Sequence, residues 1–167
     1  MTQEEYYKRS AEHYEKYPQS GVGMADVRTM TTIPGQTKDD VIRGMRVSSM
    51  ELVKKATEYY RQQKYPQALE CAEKGVALAE QVFPKEIKGG KHPMLVGPYI
   101  TLGDIYVALR RYDEAAKTYQ RAISILEISR TSGVKEALDG LYQKMAEVNR
   151  KMGNMENAAK YERMKNK

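Results

Sequence analysis

A pattern of small and aromatic residues recurs three times in the C-terminal two-thirds of this chain, and it restricts the fold more than anything else in the sequence. The clearest copy reads Tyr99-x2-Leu102-Gly103-x2-Tyr106, followed by Ala115-x3-Tyr119-x2-Ala122. Looser copies carry Leu52, Ala56, Tyr59 and Ala68 before it, and Tyr142, Ala146 and Ala158 after it. The alanines at 68, 115 and 158 are 47 and 43 residues apart. Glycine or alanine at 56, 103 and 146 lets two helices approach closely, and a large aromatic fills the wider gap beside them. Apolar residues at helical spacing support this. Leu52, Ala56, Tyr59 and Tyr60 fall at i, i+4, i+7 and i+8, the stripe of an amphipathic helix.

The breaks between helices are equally readable. Ser48-Ser49-Met50-Glu51 is an S-x-x-E capping box, which predicts a helix start at Ser48. Pro66 stands where a second helix begins and Pro84 where it stops. Gly89-Gly90, Thr131-Ser132-Gly133 and Gly153-Asn154 mark loops. The expectation is an all-α body over 48–167, made of helix–turn–helix pairs at about 48–83, 96–130 and 136–166.

Residues 1–47 differ. Pro18, Gly21, Gly23, Pro34, Gly35 and Gly44 interrupt any helical or alternating pattern over 18–47. An extended N-terminal tail is expected, with a short helix at 3–17. Tyr6, Tyr7, Tyr14, Tyr17, Met24 and Met30 are its candidate contacts with partner subunits.

Composition narrows the function. One cysteine and two histidines among 167 residues leave almost no material for disulfides, zinc sites or histidine chemistry. Neither a membrane-length apolar run nor a targeting signal is read at the N-terminus. His92 before Pro93 reads as a turn residue, and His13 has no partner in the sequence. Cys71 reads as a small buried hydrophobe, and Met145, Met152 and Met155 as core filler. Gly89-Gly90-Lys91 lacks the spacing of a phosphate loop. No catalytic residues, metal ligands or cofactors are expected. The net charge of +6 arises entirely after residue 48, which suits an acidic protein surface such as tubulin. The alternative is a nucleic-acid-binding accessory protein using the basic C-terminal helices, but aromatic and basic residues are not interleaved there.

The Tyr99–Ala122 pattern resembles the tetratricopeptide repeat, with tyrosine in place of its Trp and Phe. The repeat is about 34 residues long, so the longer spacing here is most similar to repeats of the kinesin-light-chain type, as is Lys91-His92-Pro93 before the middle pair. The resemblance implies a short solenoid whose first helices line a concave groove for a protein partner. Carried over in register, the groove residues are Val53, Thr57 and Tyr60, then Ile100, Asp104 and Val107, then Glu147 and Arg150 with Lys151 beside them. The Lys and Asn that clamp a terminal carboxylate in some such domains are replaced by Val53, Thr57, Ile100 and Asp104, so that function is not expected. The implied role is a non-catalytic adaptor or scaffold subunit in the cytoplasm, in a cytoskeletal or ciliary assembly.

Overall fold

A computed structural model describes residues 37–83, 93–129 and 133–165. Among these, six α-helices occur and no strand: α1 (Lys38–Arg61), α2 (Tyr65–Val82), α3 (Val96–Ala108), α4 (Tyr112–Ile128), α5 (Val134–Lys151) and α6 (Met155–Lys165). A single 3-10 turn, Pro93–Leu95, leads into α3. The helices pack as consecutive pairs, α1 on α2, α3 on α4 and α5 on α6, and each pair rests on the next through α2–α3 and α4–α5. The all-α solenoid of three pairs is therefore the fold.

The first helix corrects the expected boundary. It begins at Lys38, not Ser48, so residues 38–47 are helical and not extended. Thr37 and Asp40 form their own capping box. The Thr37 hydroxyl accepts from the Asp40 amide at 3.2 Å, and the Thr37 amide donates to the Asp40 carboxylate at 3.0 Å. The Thr37 hydroxyl also donates to the Asp40 carboxylate at 2.6 Å, and this bond, then that from the Thr37 amide, holds the Asp40 carboxyl below its ordinary range. Met45 is buried under α2, with Val41 and Ile42 partly buried beside it, so the added turns have an apolar face to cover. Ser48 lies mid-helix, and its neighbour Ser49 is buried with its hydroxyl donating to the Gly75 carbonyl at 3.0 Å. The tail contacts proposed at Tyr6, Tyr7, Tyr14, Tyr17, Met24 and Met30 lie outside the described residues, as do His13, His92 and Gly89-Gly90-Lys91.

The turn inside each pair repeats one backbone device. Lys64 N–H donates to the Tyr59 carbonyl at 2.9 Å, Arg111 N–H to that of Tyr106 at 2.8 Å, and Asn154 N–H to that of Asn149 at 2.8 Å. These are the long closing bonds of the Schellman motif, which ends a helix with one left-handed residue. That residue is Gln63 (φ 59°), Arg110 (φ 60°) and Gly153 (φ 79°) in the three turns. The three pairs are thus the same object at the backbone level.

Tyrosine, where a more apolar aromatic would fill the same space, adds a polar rung between pairs. Tyr99 on α3 donates to Glu80 on α2, and Tyr142 on α5 donates to Glu127 on α4 at 3.3 Å. Glu127 stands 47 residues after Glu80 and Tyr142 stands 43 after Tyr99, the spacings of the repeat itself. Tyr106 adds a third rung, donating to Glu73 at 2.9 Å. The phenols are thus satisfied as the rings are buried, which makes tyrosine tolerable in a core.

The methionines divide. Met145 is buried, whereas Met152 and Met155 are exposed. The core reading fails for those two because they sit in the α5–α6 turn and at the start of α6, which buries only Ala158 fully. Cys71 is only partly buried, on α2, and burial pushes its thiol pKa up, so it is a packing residue and not an activated thiol.

Candidate partner-binding groove

The first helices of the pairs, α1, α3 and α5, present their C-terminal halves to a shared hollow of about 210 Å³. It is lined by Tyr60 of α1, Asp104 and Val107 of α3, Tyr119 of α4, and Lys144, Glu147, Val148 and Lys151 of α5. Pockets for cofactors and drug-sized ligands run to ~300–1,000 Å³. This hollow is the size for a side chain or two.

Its floor is a polar junction. Tyr119 donates to the Asp104 carboxylate at 2.5 Å, and Lys144 donates to the same oxygen at 2.7 Å. The Lys144 ammonium also stands 5.9 Å from the Tyr119 ring centre. One carboxylate thereby ties α3 to its own partner α4 and to α5 of the next pair. Burial first, then the hydrogen bond to Asp104, drives the Tyr119 phenol far above its ordinary pKa, so it remains a proton donor. The walls are apolar: Val107, the buried Val148 and the Tyr60 ring, which is 36% exposed. Lys151 closes one side, its ammonium 5.9 Å from the Tyr112 ring centre.

Of the expected groove residues, Tyr60, Asp104, Val107 and Glu147 come together here. The other four are used differently. Val53 packs on its own pair, its Cγ2 within 3.0 Å of where a Cβ on Gly75 would stand. Thr57 returns its hydroxyl to the Val53 carbonyl at 3.0 Å. Ile100 is half-buried against the core. Arg150 is ion-paired with Glu162 of α6, so it braces the last pair and does not line the hollow. Tyr119, Lys144 and Val148 were not expected. Lys144, Val148 and Lys151 share one helical face at i, i+4 and i+7. The register carried over from α3 missed Lys144 because its ammonium turns to Asp104 of the preceding pair.

Among the described residues, no helix is long and apolar enough to cross a membrane. No curated protein matches the chain. The family model for the tetratricopeptide repeat matches residues 52–128, the stretch from mid-α1 to the end of α4 that contains the first two turns and the Tyr99–Glu80 rung. Repeats of this family mediate protein–protein interaction and are typically non-catalytic. Residues 52–128 thus match the tetratricopeptide repeat family, and the third pair repeats the same turn.

Proposed function

We propose that the chain is a non-catalytic adaptor or scaffold subunit that holds a segment of a partner protein in the hollow between α1, α3 and α5. One observation carries this reading. Tyr60 and Val107 make apolar walls that no described residue covers, with Val148 buried behind them, over a polar floor whose groups already satisfy one another. Such a surface gains by excluding water from an inserted side chain without stranding a charge. The basic excess after residue 48 favours a partner with an acidic surface, and a tubulin-based cytoskeletal or ciliary assembly in the cytoplasm is the setting we favour. Residues 1–36 would supply further contacts, with Tyr6, Tyr7, Tyr14, Tyr17, Met24 and Met30 as their apolar points.

Affinity capture from cell extract with the full chain and with Val107→Glu tests the groove. The proposal expects a set of proteins retained by the wild type and lost by a variant whose melting temperature is within a few degrees of it. Capture of the same proteins by both would remove the groove from the function. Co-sedimentation with polymerised tubulin tests the setting.

A further inference from the structure

The charges around the hollow between α1, α3 and α5 cancel. Asp104 and Glu147 supply two carboxylates, and Lys144 and Lys151 supply two ammonium groups. Lys144 is bound to Asp104 at 2.7 Å, and Tyr119 donates to the same oxygen. A charged side chain entering here would lose its hydration and meet as many like charges as opposite ones. The lining therefore favours an uncharged occupant.

The two lysines say more about it. Glu147 and Lys151 stand at i and i+4 with the glutamate first, the order and spacing that favour an ion pair on a helix. No ion pair joins them among the described residues. Glu147 accepts instead from the Gln143 amide at 3.3 Å, and the Lys151 ammonium stands 5.9 Å from the centre of the Tyr112 ring. Lys144 likewise stands 5.9 Å from the Tyr119 ring centre. Both cations of the hollow lie against rings, and Tyr60 of α1 adds a ring that is 36% exposed.

An aromatic side chain suits this lining in a way that an aliphatic one does not. The face of a ring is negative and its edge positive. One ring can turn its face to an ammonium group and its edge to the Glu147 carboxylate, and it brings no charge that needs a partner. A hollow of about 210 Å³ has room for it. We infer that the hollow selects an uncharged aromatic side chain, phenylalanine or tyrosine, of the partner segment. Lys151 is the residue that favours a ring over an aliphatic group of the same bulk. The inference rests on the proposed function and names the side chain that the hollow would hold.

The test uses the full chain, labelled with ¹⁵N, and two small probes, N-acetyl-phenylalaninamide and N-acetyl-cyclohexylalaninamide, titrated by amide chemical shift. The cyclohexyl probe has nearly the same outline, is the more apolar and has no π face, so burial alone would make it the tighter ligand. The expected result is shifts at Tyr60, Val107 and Val148 with the phenyl probe binding about two- to fivefold more tightly. Lys151→Met keeps an apolar stem and removes the ammonium. It should shrink the phenyl advantage and leave the cyclohexyl affinity unchanged. Equal or tighter binding of the cyclohexyl probe would overturn aromatic selection while leaving the hollow an apolar anchor site. An equal loss for both probes in Lys151→Met would show that Lys151 acts by packing, and would overturn its assignment. No shift at these three residues with either probe would overturn the inference and the groove together.

Discussion

The ring of Tyr119 lies directly on the backbone of Gly103. A Cβ added at residue 103 would stand 2.4 Å from Tyr119 Cε1 and 2.7 Å from its Cδ1. Tyr119 is 1% exposed and is also held at its phenol by Asp104, the next residue along α3. The ring is therefore fixed at both ends and cannot yield to a new side chain. Contact between α3 and α4 depends on the absence of one methyl group.

Gly103→Ala should destabilise the protein although alanine is the better helix former. Intrinsic propensity favours the change by ~0.8–1 kcal/mol, but overpacking against a pinned ring costs ~1–3 kcal/mol. Gly140→Ala is the matched control. It is exposed within α5 with nothing within 4 Å of the added Cβ, so only propensity acts and the protein should gain stability. Denaturant melts giving the same sign for both substitutions would refute the packing account.

Asp104 serves two donors, so its removal should cost more than removal of either. Asp104→Ala leaves the buried Tyr119 hydroxyl without its acceptor, a loss of ~1–3 kcal/mol. Lys144→Met leaves Asp104 with Tyr119 and with solvent, and should cost under about 1 kcal/mol. Urea unfolding of both variants decides the order. A larger loss for Lys144→Met would mean that the ion pair, and not the phenol, organises the floor of the hollow.

The rungs between pairs predict sensitivity to alkali. Burial, then the hydrogen bond to Glu73, pushes the Tyr106 phenol up to about 12, against ~10 in an unfolded chain. The neutral phenol is thus favoured by the fold. Its contribution is complete below about pH 10 and is lost as pH rises through the folded value near 12. Tyr119, Tyr142 and Tyr161 are raised in the same direction. Tyr106→Phe removes one such phenol and should melt with a shallower fall between about pH 10 and 12 than the wild type. Parallel curves would show that Tyr106 is not coupled to folding in this way.

What was legible in the sequence was whatever local geometry dictates. Gly103, Ala115, Tyr119 and Ala158 declare close helix contacts by size alone, and the pairs followed from them. The start of α1 was misread because Ser48-x-x-Glu51 and Thr37-x-x-Asp40 both satisfy the capping rule. Only the burial of Met45 against α2 chooses between them, and burial is a tertiary fact. The groove was half-read for a related reason. Transferring the α3 face onto α5 residue by residue put Arg150 in the hollow, but Glu162 claims Arg150, and Lys144 turns toward Asp104 instead. Those choices depend on side chains from other helices, which no periodicity encodes.

The cap at Thr37 is itself open to test. Thr37→Ala removes the acceptor for the Asp40 amide and should cost ~1 kcal/mol, with faster amide exchange at 40–43 than at 50–60. Unchanged exchange over the first turns would mean that α1 does not depend on this box.

The most direct test of the central claim places a photo-crosslinking amino acid at Tyr60, in the wall of the hollow, and in parallel at Lys117 on the exposed face of α4, in the full chain in its native cell. The account predicts that position 60 crosslinks to a defined partner protein, that position 117 does not, and that Val107→Glu abolishes the product. Equal products from both positions, or a product at 60 that survives Val107→Glu, would contradict it.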